Sequence, residues 1–184
     1  MSRHVEYPRV MTPHDDRARP DGRPDEVDRI VAAWQHERPD LDLEPLTVFS
    51  RVDRLARHLD RARRTAFARG HLETWEFDVL SALRRAGEPY RLSPGALVTQ
   101  TLVTSGTMTN RIDRLESRGL VVRRRSPDDR RGVLVELTPD GLERVDTAMT
   151  DLLDVESRIL DVLEPGGRPA LAALLRTVVG QFES

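Results

Sequence analysis

Three features of the sequence predict a mainly α-helical fold with one small β-hairpin. Residues 105–118 combine a capped start with helical apolar spacing and run, through Gly119, into two short alternating segments joined by a polar turn. A second capped helix stands just ahead, and long amphipathic segments flank the pair on both sides. Helix, turn, helix and hairpin in that order is a winged helix-turn-helix; an extra N-terminal helix and surplus apolar surface make the expected particle dimeric.

Taken in order, residues 1–24 hold four prolines, three aspartates and no hydrophobic period, which predicts a disordered leader. From Asp25 to Glu37, Val27, Ile30, Val31 and Trp34 recur at helical spacing behind acids that suit the first turn. Glu44 to His71 is a continuous amphipathic run, with Phe49, Val52, Leu55, Leu59 and Phe67 on one face, expected to span the core as a scaffold helix. Thr74 to Ala86 follows, with Thr74 as its cap, Gly87 as its stop and Phe77, Leu80 and Leu83 inward. Asp78 lies beside that stripe and needs a partner there.

Gly87 to Leu92 is expected as a connector or a third short strand, and Ser93 before Pro94 starts the first helix of the pair. Ser105 is the expected cap of the second, in which Met108, Ile112 and Leu115 face a core while Thr107, Asn110, Arg111, Arg114 and Arg118 gather elsewhere. Leu120–Arg125 and Val133–Leu137 read as the strands of the wing. Thr138 and Pro139 then start a helix to Leu163, and a last helix from Pro169 to Phe182 carries Leu171, Leu174, Leu175, Val178 and Phe182 in register. These terminal helices hold more apolar surface than the small winged module can cover, and pairing with a second copy is the simplest way to bury it.

Charge points to a partner. Residues 105–131 carry eight arginines against four acids, although the whole chain has a formal charge of -2. A locally positive surface of that kind suits phosphates and base edges of double-stranded DNA. Thr107, Asn110 and Arg114 are the base-edge candidates, since Asn pairs with adenine and Arg with guanine. Arg130 at the hairpin tip is placed for a minor groove, with Asp129 and Arg131 able to pair and hold the tip.

With 184 residues, 38% hydrophobic and 33% charged, the chain can build one sizeable core. The absence of cysteine excludes disulfides, thiolate metal sites and a thiol redox switch. No apolar run reaches the roughly 18 residues of a membrane span, so a cytoplasmic location is expected. The five histidines have no metal-ligand spacing and Ser105 has no nucleophile elbow around it, so neither an enzyme nor a cofactor is expected.

The run Asp129, Arg130, Arg131, followed by Val135, Leu137, Thr138 and Gly141 and preceded by TSGTMTNRIDRLESRGLV, resembles the signature of MarR-type transcription regulators. The resemblance extends from about residue 44 to the end. The segments AAWQHERPDLD and EFDVLSALRRAG, with the NR and VR pairs around the second helix, are similar to the urate-responsive, PecS-like subgroup. It implies a homodimeric repressor that binds a palindromic operator through residues 105–118 and the wing 123–133 and is released by urate or a related purine. The ligand positions it implies are Trp34, Asp78, Arg111 and Arg123.

In physical terms Arg111 offers a planar fork of donors to an anionic ring and Trp34 a face for stacking, while Asp78 would pair with Arg123 at the base of the wing. An anion near Asp78 would loosen that pair and shift the recognition helix against the wing. Arg111 lies about 40° from Thr107 toward the apolar face, which leaves a phosphate contact equally open to it. The implied division is a leader over 1–24, N-terminal helices over 25–72 serving as ligand lid and dimer scaffold, a DNA-binding region over 73–138 and dimerisation helices over 139–184. Two other readings stay open, a regulator answering to phenolic or other aromatic acids and a winged-helix module for protein contacts.

Overall fold

The computed structural model of the chain describes residues 24–127 and 132–182. Seven helices and three strands follow one another in these segments: α1 (Glu26–Glu37), α2 (Glu44–Arg69), α3 (Thr74–Arg85), β1 (Arg91–Leu92), α4 (Pro94–Thr101), α5 (Ser105–Ser117), β2 (Val121–Arg125), β3 (Val133–Leu137), α6 (Pro139–Leu160) and α7 (Gly167–Gly180). Two compact units result, with the boundary inside α2 between Thr47 and Val48. In the first, a capping box closes the start of α1: the Asp28 N–H donates to Asp25 at 3.0 Å and the Asp25 N–H to Asp28 at 2.8 Å.

In the second unit the three strands form an antiparallel sheet in the order β1-β3-β2. Arg91 and Leu92 thus supply the third strand, paired with Glu136 and Val135, while β2 runs beside β3 from Val121↔Leu137 to Arg125↔Val133. The wing is closed by the Ser126 N–H, which donates to the Gly132 carbonyl at 2.9 Å. The core collects Leu80 and Leu83 of α3, Leu97 of α4, Met108, Ile112 and Leu115 of α5, Val135 of the sheet and Val145 and Ala148 of α6. The α5 stripe therefore packs inward as its spacing requires.

Several expectations need correction. The cap of α5 is Thr104, whose hydroxyl accepts from the Thr107 N–H at 3.3 Å, and Ser105 is the first helical residue. At α3 the cap is Glu73 rather than Thr74, and the Glu76 carboxylate accepts the Glu73 N–H at 2.9 Å. At α5 two adjacent residues, Thr104 and Ser105, were competent to cap, and Thr104 has the extended backbone that a cap needs; at α3 it is Glu73 that has it. The scaffold helix α2 does not span the core: Ala66 and Phe67 are buried, the latter stacked on Phe77 with ring centroids 4.2 Å apart, but Phe49, Val52 and Leu55 face solvent. The α7 stripe buries nothing in the single chain; α7 is tied to the end of α6 at its first turn, where Arg168 donates to the Ser157 carbonyl at 3.2 Å and to Asp161 at 2.6 Å.

One glycine is dictated by close approach. A Cβ on Gly141, in the first turn of α6, would stand 2.0 Å from the Leu120 carbonyl oxygen, which is backbone and cannot swing away. That carbonyl already accepts the Thr138 N–H at 3.1 Å, and the Thr138 hydroxyl donates to Gly119 at 2.7 Å, so α6 is sewn to the end of α5 here. Gly141→Ala is expected to cost about 3 kcal/mol, the upper end for overpacking, read as a lowered denaturant midpoint at unchanged slope.

Candidate nucleic-acid interface and adjoining pocket

Helix α5 is anchored by its apolar stripe, and this leaves Thr107, Asn110 and Arg114 exposed on the outside. Thr107 is steadied by a hydroxyl-to-hydroxyl bond of 2.9 Å with the capping Thr104, while Asn110 has no side-chain partner among the described residues. Arg124 and Arg125 project from β2, Arg124 lying 3.7 Å from Glu136. The expected wing-tip contacts Asp129, Arg130 and Arg131 lie outside the described residues.

Arg118 has a different occupation from the one its place on the helix suggested. One arm of its guanidinium donates to Glu76 and the other to the His71 carbonyl at 2.6 Å. Glu76 is 0% exposed, and its second oxygen, Oε1, has no hydrogen-bond partner. The pair ties the C-terminal end of α5 to the N-terminal end of α3. Neither Glu76 nor the pairing was expected, because a lone glutamate in a first helical turn reads as a dipole partner.

Arg123 is also placed otherwise than expected. Its two arms donate to Asp113 and Glu116 on α5, and its N–H donates to Glu116 at 3.1 Å, so it does not pair with Asp78. The two acids raise the Arg123 pKa, with the Asp113 hydrogen bond as the largest cause. Acids from the preceding helix reach it first, and the base of the wing is locked to α5.

Beside α5 opens a pocket of about 560 Å³, lined by Arg64, Leu72, Glu73, Thr74, Trp75, Asp78 and Arg111. Two of the four implied ligand positions, Asp78 and Arg111, thus line the same pocket. Asp78 makes no ion pair among the described residues; desolvation pushes its carboxyl pKa up, opposed by the charges of Arg111, Arg63 and Arg85. A raised carboxyl of this kind is the easier to neutralise when an anion arrives. Trp34 belongs to the other unit, where it is 51% exposed.

The aromatic face in the pocket comes from Trp75, which was not singled out. The guanidinium of Arg114 sits 4.6 Å and that of Arg111 5.6 Å from its ring centroid. Its Nε1–H donates to Glu73 at 2.7 Å, and the other oxygen of Glu73 accepts from Arg114 at 2.8 Å. The Glu73 carboxyl is accordingly held below its usual range, first by the Trp75 hydrogen bond and then, against desolvation, by Arg114. The only sequence signal for this cluster was an indole one turn from Asp78.

Among the described residues no group of His, Asp and Glu could hold a metal ion, and no helix is long and apolar enough to cross a membrane. The sequence pattern of the MarR family matches residues 72–132, from just after α2 up to the start of β3. The HTH-type transcriptional regulator PecS of Dickeya dadantii is 37% identical over 153 residues, which is 83% of this chain and 92% of that protein. Among solved structures, a mutant MarR from E. coli complexed with operator DNA superposes with a TM-score of 0.61 at 26% identity, covering 79% of this chain and 97% of that one. BpsR of Bordetella bronchiseptica, described for the regulation of its DNA binding by 6-hydroxynicotinic acid, gives a TM-score of 0.54 at 31% identity, covering 70% and 98%. A recognition helix packed on a three-stranded winged sheet, and sequence shared over most of its length with such regulators, make this chain a member of the MarR family of transcriptional regulators.

Proposed function

We propose that the protein is a homodimeric repressor that reads an inverted-repeat operator and lets go of it when urate or a related purine enters the pocket beside α5. The observation that carries the reading is the position of Arg111: it lies on the recognition helix and lines the pocket at once, together with Asp78 and near the Trp75 ring. A ligand there touches the DNA-reading element directly, and only a ligand that distinguishes two states of that element can change DNA affinity. Thr107, Asn110 and Arg114 supply base-edge contacts in this reading, Arg124 and Arg125 meet phosphate, and Asp129, Arg130 and Arg131 work at the wing tip. Trp34 adds an exposed indole and Arg123 holds the wing in line with α5. The half-sites are then spaced by about one helical turn, roughly 10 bp.

Dimerisation is supported by apolar surface left open in the single chain: Phe49, Val52 and Leu55 on α2, Leu174, Leu175 and Val178 on α7, and Phe182 just after it. A second inducer class, aromatic ring acids, is favoured by one observation, the 31% identity to BpsR, whose DNA binding is described as regulated by 6-hydroxynicotinic acid.

Titration of urate into the protein and labelled operator, with 6-hydroxynicotinate in a parallel series, tests the reading. Release by urate is expected, and Arg111→Ala is expected to raise the ligand concentration needed by about tenfold, the worth of one charge-assisted hydrogen bond. Release by the ring acid alone favours the second inducer class. Binding of operator and scrambled duplex with equal strength would leave only a module for protein contacts.

A further inference from the structure

We propose that Glu73 and Trp75 form a cradle that competes with DNA for Arg114, and that an anion in the pocket acts on the operator by tightening this cradle. The inference rests on the reading that α5 faces DNA, and it replaces the Asp78–Arg123 link, which the geometry does not contain.

Four groups carry it. Both oxygens of Glu73 are engaged, one by Arg114 at 2.8 Å and the other by the Trp75 Nε1–H at 2.7 Å, so a single carboxylate fixes the ring edge and the guanidinium together. Arg114 also lies over the ring at 4.6 Å, where the electron-rich face attracts it. Arg111 approaches the same ring at 5.6 Å, three residues back on the same helix, and at the same time lines the pocket. Arg114 is thus held near the surface of α3 by the residues that wall the ligand site.

The hold is weak by construction. The side chains of Arg114 and Glu73 are 60% and 58% exposed, and an ion pair so open to water is worth little. A guanine edge or a phosphate offers the same guanidinium a bidentate acceptor, so DNA can take Arg114 from the cradle. The two guanidiniums around one indole repel each other. An anion paired with Arg111 cancels that repulsion, the cradle keeps Arg114, and DNA loses a contact, which is the sign of change that a released repressor requires.

Operator affinity of the full chain at one fixed salt concentration tests this, with Glu73→Gln made both alone and together with Arg114→Ala. Glu73→Gln keeps an acceptor for the Trp75 Nε1–H but removes the charge that holds Arg114. It is expected to tighten operator binding about fivefold, the low end of coupling between sites. The gain is expected to vanish in the Arg114→Ala background. Trp75→Phe, which keeps a ring and loses the bond to Glu73, is expected to give a smaller gain that also depends on Arg114, and urate-driven release is expected to shrink in both variants. A gain that persists without Arg114 means only that an acid near DNA was removed and overturns the proposal, as does no gain at all. Loss of the preference for operator over scrambled duplex in the unaltered protein would instead sink the DNA reading itself, so the two failures are distinguishable.

Discussion

Arg118→Ala is expected to lower the melting temperature by about 6–20 °C, from a loss of about 3–5 kcal/mol for stranding a buried charge and about 2–4 °C per kcal/mol in a chain of this size. The partner left behind is Glu76, whose side chain has no exposure and whose Oε1 already lacks a hydrogen bond. Without Arg118 the carboxylate keeps only the Glu73 N–H at 2.9 Å. Total stabilities of domains lie near 5–15 kcal/mol, so the change removes a large share. The His71 carbonyl loses its 2.6 Å donor in the same step. Replacing both partners, Glu76→Met with Arg118→Met, is expected to restore most of the stability, since an apolar pair carries no desolvation cost. A melting temperature within about 2 °C of the parent for Arg118→Ala, combined with weakened operator binding, would show instead that Arg118 serves DNA and that the brace is immaterial.

That residue marks the limit of what could be read from the sequence. The helix carrying Arg118 was legible because Met108, Ile112 and Leu115 repeat with the helical period and Gly119 stops it with a φ of +71°. The wing was legible from the alternation of Val133, Val135 and Leu137, of which Val135 and Leu137 are buried in the sheet's inner face. Direction on a helix surface was not. Arg111, Arg114 and Arg118 have the same chemistry in sequence, yet they have different surroundings: the pocket and Trp75 for Arg111, Glu73 with the same Trp75 for Arg114, Glu76 for Arg118. What separates them is α3, some forty residues earlier, and no local pattern encodes which acid of α3 will stand opposite which arginine of α5. The same cause misdirected Asp78. Its helix was read correctly, but its side chain is exposed and makes no ion pair among the described residues, and Arg123 found Asp113 and Glu116, which the turn at Gly119 brings back alongside β2. Apolar periodicity gave α2 and α7 their helical form while leaving open what covers them, because a stripe looks alike whether its partner is in the same chain or another.

Replacing Leu175 and Val178 of α7 together by glutamate is expected to leave the protein monomeric and to weaken operator binding about 10²-fold or more. Leu174 is 69% exposed on the same helix and Phe182, just beyond its end, 80%, a concentration of apolar side chains that water alone does not favour. No residue of α7 is buried in the single chain, so charging it removes nothing from the core around Leu80, Leu97 and Ile112, and the winged module is expected to keep its helical signature. The loss in affinity follows from linkage. Two modules held at a spacing of about one helical turn bind the second half-site as an intramolecular event, and separated modules each pay the full cost of association. The monomer should still bind a single half-site, and its dependence of log affinity on log salt should be about half as steep, since half as many phosphates are neutralised. Sedimentation of the variant as a dimer, with the full salt slope retained, would show that α7 is covered by something other than a second copy.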